Sequence, residues 1–125
     1  MSATPASHPF EITESDRDGV RVIAMRGELD LATAPRLCVR IDAARRDGHS
    51  RVLVDLSTAE FCDSAGLRAL VGSHHEMAAS GGRMAVVAVE DSAVGRLFAL
   101  AGANELMPVY EDMGSALAKL APRSS

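Results

Sequence analysis

Apolar residues fall in short runs separated by polar or glycine-containing breaks, which is the pattern of buried β-strands. The clearest run is RVLVDL, which is β-branched, short and bounded by Gly48 and Ser57. Asp18-Gly19 is a hairpin-turn signal between the first two runs. The pattern predicts five strands, over residues 10–13, 20–26, 51–56, 84–89 and 108–110. Gly27 is expected to break the second one before Glu28-Leu29-Asp30.

Four stretches between and after these strands carry apolar residues at helical spacing. Thr33 followed by Pro35 suits a helix start, and Gly48 suits its end. The other helices are expected from Ser64 to Ser80, after Asp91 or Ser92, and after Asp112. Their predicted inward residues are Leu37, Ile41, Ala44; Leu67, Leu70, Val71, His74, Ala78; Val94, Leu97, Phe98, with Leu100 or Ala101; and Met113, Ala116, Leu117, Leu120.

The resulting order is ββαβαβαβα. Strands that alternate with helices form right-handed crossovers, so the sheet is expected to be mixed but mostly parallel, beginning with an antiparallel hairpin. Helices must cover such a sheet, which predicts an α/β sandwich. The domain is expected to span residues 10–120, with flexible tails over 1–9 and 121–125.

Size and charge narrow the function classes. The chain has 125 residues, enough for one domain, and a net charge of −4, which argues against nucleic-acid binding. The arginines of 36–46 are interspersed with Asp42 and Asp47 and are expected to form a solvated helix face. No stretch resembles a signal peptide or a membrane span, so a cytoplasmic protein is expected.

The two cysteines, Cys38 and Cys62, form no CxxC pair, and we expect reduced, partly buried thiols rather than a zinc site. No cofactor is expected.

The stretch with the most suggestive chemistry is Phe61-Cys62-Asp63-Ser64-Ala65-Gly66-Leu67, which joins the best strand to a helix. Ser64 is predicted to be the N-cap, with its hydroxyl accepting a backbone N–H group. Taken alone, a capping serine is the simpler interpretation. A helix N-terminus also presents unpaired N–H groups and partial positive charge, so a phosphate on Ser64 would be accommodated there.

Four segments in register give the sequence a resemblance to a known family. GELD at 27–30, RVLVDLS at 51–57, FCDSAGL at 61–67 and AVGRLFALAG at 93–102 resemble STAS domains, and in particular the single-domain bacterial anti-sigma factor antagonists. The resemblance covers about residues 8–120. Two departures are Ala65, where many members have Ser or Thr, and Cys62, which replaces a larger apolar residue.

The resemblance implies a phosphorylation switch. Ser64 would be phosphorylated by an anti-sigma factor that is itself a Ser kinase, and a metal-dependent Ser/Thr phosphatase would reverse the step. The unphosphorylated form would bind the kinase and release the sigma factor. The implied partner-binding residues are Asp30, Asp63, Ser64, Ala65, Gly66 and Leu67.

Three alternatives compete with this interpretation. A hydrolase triad of Ser64, Asp63 and His74 or His75 is disfavoured, because ten residues of helix separate the serine from the histidines by roughly 15 Å. Nucleotide binding is disfavoured because the sequence contains neither of the glycine-rich motifs GxxxxGK[ST] and GxGxxG. A STAS subunit of another assembly, such as a lipid-transport ATPase or a stress-sensing complex, would have the same fold but would not need a phosphorylated Ser64.

We expect a monomer, or a weak dimer through the edge strand near Pro108–Tyr110.

Overall fold

The computed structural model describes residues 8–122. A six-stranded sheet forms its centre. The strands are β1 (Glu11–Arg17), β2 (Val20–Leu29), β3 (Arg51–Asp55), β4 (Ala59–Cys62), β5 (Arg83–Val87) and β6 (Val109–Tyr110). The helices are α1 (Ala34–Arg46), α2 (Ser64–Ala79), α3 (Ala93–Ala101) and α4 (Met113–Leu120), and a 3-10 helix covers Ala103–Glu105.

The sheet is mixed, as predicted. Strands β1 and β2 form the antiparallel hairpin, and β2, β3, β5 and β6 follow in parallel order, with β6 at the edge. The hairpin turns through Asp18 and Gly19, both of which have positive φ. The predicted α/β sandwich is therefore confirmed.

Alternation along the central strands explains the two layers of core, because successive side chains in a strand point to opposite faces. Val52 and Val54 of β3 pack with α1, α2 and α3, whereas Leu53 packs with α4 on the other face. The larger core thus lies under three helices, and α4 is the helix that covers the second face in the described part of the chain.

One strand and the short 3-10 helix at Ala103–Glu105 were missed by the pattern. The short strand β4 pairs in parallel with the second half of β2, so the observed order is ββαββαβαβα. The prediction that Gly27 ends the second strand is wrong, because β2 continues to Leu29. Gly27 has a φ of +90°, and the pairing of β2 with β4 is irregular at this residue. A Cβ at Gly27 would lie 3.0 Å from the Pro9 carbonyl oxygen, so the close passage of the chain before β1 requires glycine here.

The inward faces of two helices also differ from the prediction. In α2, Ser73 and Met77 are buried, while His74 is half-buried and Ala78 is exposed. In α3, Val94 and Phe98 are buried, but Leu100 is 89% exposed. The buried stripe of α2 is therefore shifted around the helix relative to the prediction, and the buried stripe of α3 is narrower than its apolar spacing indicated. The inward residues predicted for α1 and α4 are confirmed.

The arginines of α1 lie on a solvated face, as predicted. Arg45 and Arg46 both pair with Asp42, and Arg40 reaches across to Glu14 of β1. Among residues 8–122, no helix is both long and apolar enough to cross a bilayer.

Candidate functional site

The pairing of β2 with β4 places the two predicted motifs side by side. Leu29 lies opposite Cys62, and the Asp63 N–H donates to the Leu29 carbonyl oxygen at 3.1 Å. Asp30 and Asp63 follow these paired residues directly, so both carboxylates emerge at the same edge of the sheet. This is the carboxyl edge of the parallel strands, where α/β proteins commonly bind their ligands.

Asp30 organises the turn that leads into α1. Its Oδ1 accepts the N–H groups of Ala32 and Thr33, both at 3.0 Å. Thr33 occupies the predicted N-cap position, but its hydroxyl does not cap the helix; it donates to the Glu28 carbonyl oxygen at 2.7 Å. Asp30 is half-buried, and the bonds to Oδ1 hold its carboxylate at the rim of the site.

Asp63, not Ser64, caps α2. Its Oδ1 accepts the Gly66 N–H at 2.8 Å, and Ser64 is the first helical residue. The prediction that the Ser64 hydroxyl caps the helix is therefore wrong, because the residue before it has an equally suitable side chain and the extended backbone of a cap. Ser64 is exposed, and its hydroxyl makes no hydrogen bond within residues 8–122. The N–H groups of Ser64 and Ala65 are among the first four of the helix, which have no acceptor within the helix itself.

Gly66 is a packing residue rather than an accessible one. A Cβ at this position would lie 2.7 Å from the Leu29 carbonyl oxygen and 2.9 Å from Cys62 Sγ. Gly66 is buried, and Leu67 is only 8% exposed. Of the six residues predicted to bind a partner, these two therefore support the surface from beneath, whereas Asp30, Asp63, Ser64 and Ala65 retain accessible area.

A shallow groove adjoins Ser64 between α1 and α2. It has a volume of about 280 Å³ and is mostly apolar. One lining residue, Leu31, is 78% accessible and directly follows Asp30. Sequence reasoning missed this groove, because it requires the packing of two helices that are far apart in the chain. Its lining residues are Leu31, Ala34, Pro35, Cys38, Ala65, Arg68 and Ala69.

Beneath the site, the Cys62 thiol is buried. Loss of solvent, with a smaller contribution from the negative charge of Asp63, raises its pKa from 9.0 to about 12. Cys38 is half-buried, and both cysteines are free. A thiol with so high a pKa is unreactive at neutral pH, so Cys62 serves the core.

The histidines of α2 lie away from this site. His74 lines a different pocket, with Met84 and Pro108, at the far end of the helix. Burial lowers the pKa of His74, with the neighbouring His75 contributing, which favours its neutral form. Residues 8–122 contain no cluster of three or more His, Cys, Asp or Glu side chains suited to a metal ion.

Comparison with known proteins places this geometry in a family. Residues 11–116 match the STAS domain model. The anti-sigma F factor antagonist of Paenibacillus polymyxa is 32% identical over 89% of this chain and 95% of its own length. The anti-sigma-B factor antagonist of Staphylococcus aureus is 31% identical over 82% of this chain and 94% of its own length. The crystal structure of an anti-sigma factor antagonist from Mycobacterium paratuberculosis superposes with a TM-score of 0.81 at 32% identity, covering 91% of this chain and 96% of that one. The chain belongs to the STAS domain family.

Proposed function

We propose that this protein is an anti-sigma factor antagonist that acts by binding and is switched by phosphorylation of Ser64. The unphosphorylated form binds an anti-sigma factor that is a Ser kinase, and the sigma factor is released. Phosphorylation of Ser64 ends the binding, and a metal-dependent Ser/Thr phosphatase restores the first state. The observation that carries this proposal is an exposed Ser64 hydroxyl at a helix start, beside two carboxylates and an apolar groove, with no hydrogen bond among residues 8–122.

The surface supports both halves of the switch. In the unphosphorylated state, Leu31 and the groove offer apolar area for a partner, and Asp30 and Asp63 give the rim a negative charge that complements a basic one. Partner binding would desolvate the small neutral hydroxyl of Ser64 at little cost.

A phosphate at Ser64 would reverse this balance. It adds a charge of about −1.5 to −2 at neutral pH next to Asp63. The helix N-terminus can hold the phosphate, because the N–H groups of Ser64 and Ala65 lack helical partners. Arg68, one turn further along the same face, can also approach it. The phosphorylated protein would therefore remain folded, while a partner fitted to a hydroxyl would face an added charge to desolvate.

The test begins with three baits in the native cell: the wild type, Ser64→Ala and Ser64→Asp. Ser115→Ala and Ser115→Asp are matched controls, because Ser115 is also exposed in the first helical turn after a capping aspartate. We expect the wild-type and Ser64→Ala baits to retain a protein-kinase-like ATPase and the Ser64→Asp bait to lose it. Neither Ser115 change should alter its retention.

The retained partner is then purified and incubated with ATP and the wild-type protein. Mass spectrometry should locate the transferred phosphate on Ser64, and a manganese-dependent phosphatase should remove it and restore binding. Equal retention by Ser64→Ala and Ser64→Asp, or phosphate on another residue only, would instead indicate a STAS subunit that needs no switch at this position.

A further inference from the structure

Three basic side chains converge at the edge of the sheet opposite Ser64. Arg51 opens β3 and Arg83 opens β5, and the two lie directly opposite each other in the parallel pairing. Strand alternation puts both on the same face as Leu53 and Ala85, which is the face that α4 covers. Lys119, in the last turn of α4, completes the group, and all three line a cavity of about 560 Å³.

In the part of the chain that the structure describes, no carboxylate pairs with these three side chains. Five other arginines, including Arg21 and Arg40, pair with carboxylates. Within residues 8–122, the side chains of Arg51, Arg83 and Lys119 have no ion pair or hydrogen bond, although the whole chain carries a net charge of −4. Arg51 and Arg83 carry like charges directly opposite each other, so an anion that contacted both would neutralise two charges held close together.

Within this group, Arg51 shows the missing partner most clearly. It is half-buried, and its Nε is buried without a hydrogen-bond partner among the described residues. Buried polar groups are nearly always satisfied in native proteins, and an exception calls for a missing partner. A guanidinium donates in a planar fork that fits the oxygens of a phosphate, which makes an anion the natural missing group.

We propose that Arg51, Arg83 and Lys119 form a binding site for a small phosphate-bearing anion. Three cations can contact more than one phosphate group, so a pyrophosphate unit is expected to bind more tightly than orthophosphate. The cavity volume lies within the range of small-molecule sites. The site lies at the amino edge of the parallel strands, away from Ser64, and does not depend on the proposed switch.

The test titrates the isotope-labelled, full-length protein with sodium pyrophosphate and, separately, orthophosphate, followed by amide NMR. Sodium chloride keeps the ionic strength constant. We expect saturable shifts centred on residues 51, 83 and 119. Arg51→Gln, Arg83→Gln and Lys119→Gln should each weaken pyrophosphate binding about tenfold, because each removes a charge-assisted contact.

Arg96→Gln is the control, since it removes one charge from an exposed position on α3. It should bind pyrophosphate as the wild type does. Lys119→Gln changes an exposed helical side chain, so it keeps the test decisive if an arginine variant folds poorly. Shifts that fail to saturate, that chloride reproduces at equal ionic strength, or that Arg96→Gln reduces as much as Lys119→Gln would overturn the proposal.

Discussion

Replacing Gly66 by alanine tests how tightly the start of α2 is seated on β2. The added Cβ would lie 2.7 Å from the Leu29 carbonyl oxygen and 2.9 Å from Leu29 Cγ. Neither atom can yield cheaply, because that carbonyl accepts the Asp63 N–H and the Leu29 side chain is fully buried. The helix must therefore move away from the strand, and the bond that positions Asp63 must lengthen.

Gly72 in the same helix provides the comparison. It is exposed, and a Cβ there would meet no atom of another described segment within 4 Å. Alanine should stabilise the helix at this position by about 0.5–1 kcal/mol through its higher helix propensity. Gly66→Ala gains part of the same helix-propensity stabilisation, but the overpacking of its Cβ against Leu29 destabilises the protein by about 1–3 kcal/mol. The difference between the free energies of unfolding of the two variants thus isolates the steric cost.

Urea unfolding followed by far-UV circular dichroism measures this difference, since the chain has no tryptophan. Native-state hydrogen exchange of the Asp63 amide should also become faster in Gly66→Ala and stay unchanged in Gly72→Ala. If Gly66→Ala were as stable as Gly72→Ala, the close approach of α2 to Leu29 would be refuted, and with it the reason for glycine at this position.

Three further predictions follow from the same site. Asp63→Ala should lose about 1 kcal/mol of stability to urea because the cap of α2 disappears, whereas Asp63→Asn should retain most of it; equal losses would show that Oδ1 does not cap the helix. Because the pKa of Cys62 is raised on folding from 9.0 to about 12, its contribution to stability is present below pH 9 and falls as the pH rises toward 12. Stepwise urea titrations over that range should show a shallower decline for Cys62→Ala than for the wild type, and identical slopes would contradict the burial of the thiol. Leu31→Ser should weaken partner binding at least about tenfold while changing stability by less than about 0.5 kcal/mol. Leu100→Ser changes another highly exposed leucine, on α3, and should leave binding intact; equal effects of the two changes on binding would remove the groove from the proposed interface.

Much of the fold could be predicted because its signals are local. The runs around Val52–Val54 and Met84–Val87 identify buried parallel strands by composition alone. The turn at Asp18-Gly19 and the cap at Asp112 were also recognisable from the sequence. These features depend on backbone preferences and on burial, which act within a few residues.

The missed features depend on contacts between distant segments. Strand β4 has four residues, one of them the exposed Phe61, and it becomes a strand only by pairing with β2. The choice of Asp63 over Ser64 as the cap is set by the hydrogen bond from Asp63 to Leu29, because both side chains suit a cap equally well. Likewise, Leu100 is exposed because α3 packs through Val94 and Phe98, and the side of the helix that carries Leu100 faces away from the core.

For this protein, the sequence by itself determined the alternation of strands and helices, the family, and the placement of a serine at the start of α2. Only the tertiary structure decided that Asp30 and Asp63 lie side by side, that no group within residues 8–122 bonds the Ser64 hydroxyl, and that a groove opens beside it. The same division holds for Arg51, Arg83 and Lys119, which are unremarkable along the chain. Local preferences fix elements, but a site arises where strand pairing and helix packing bring remote residues to one edge.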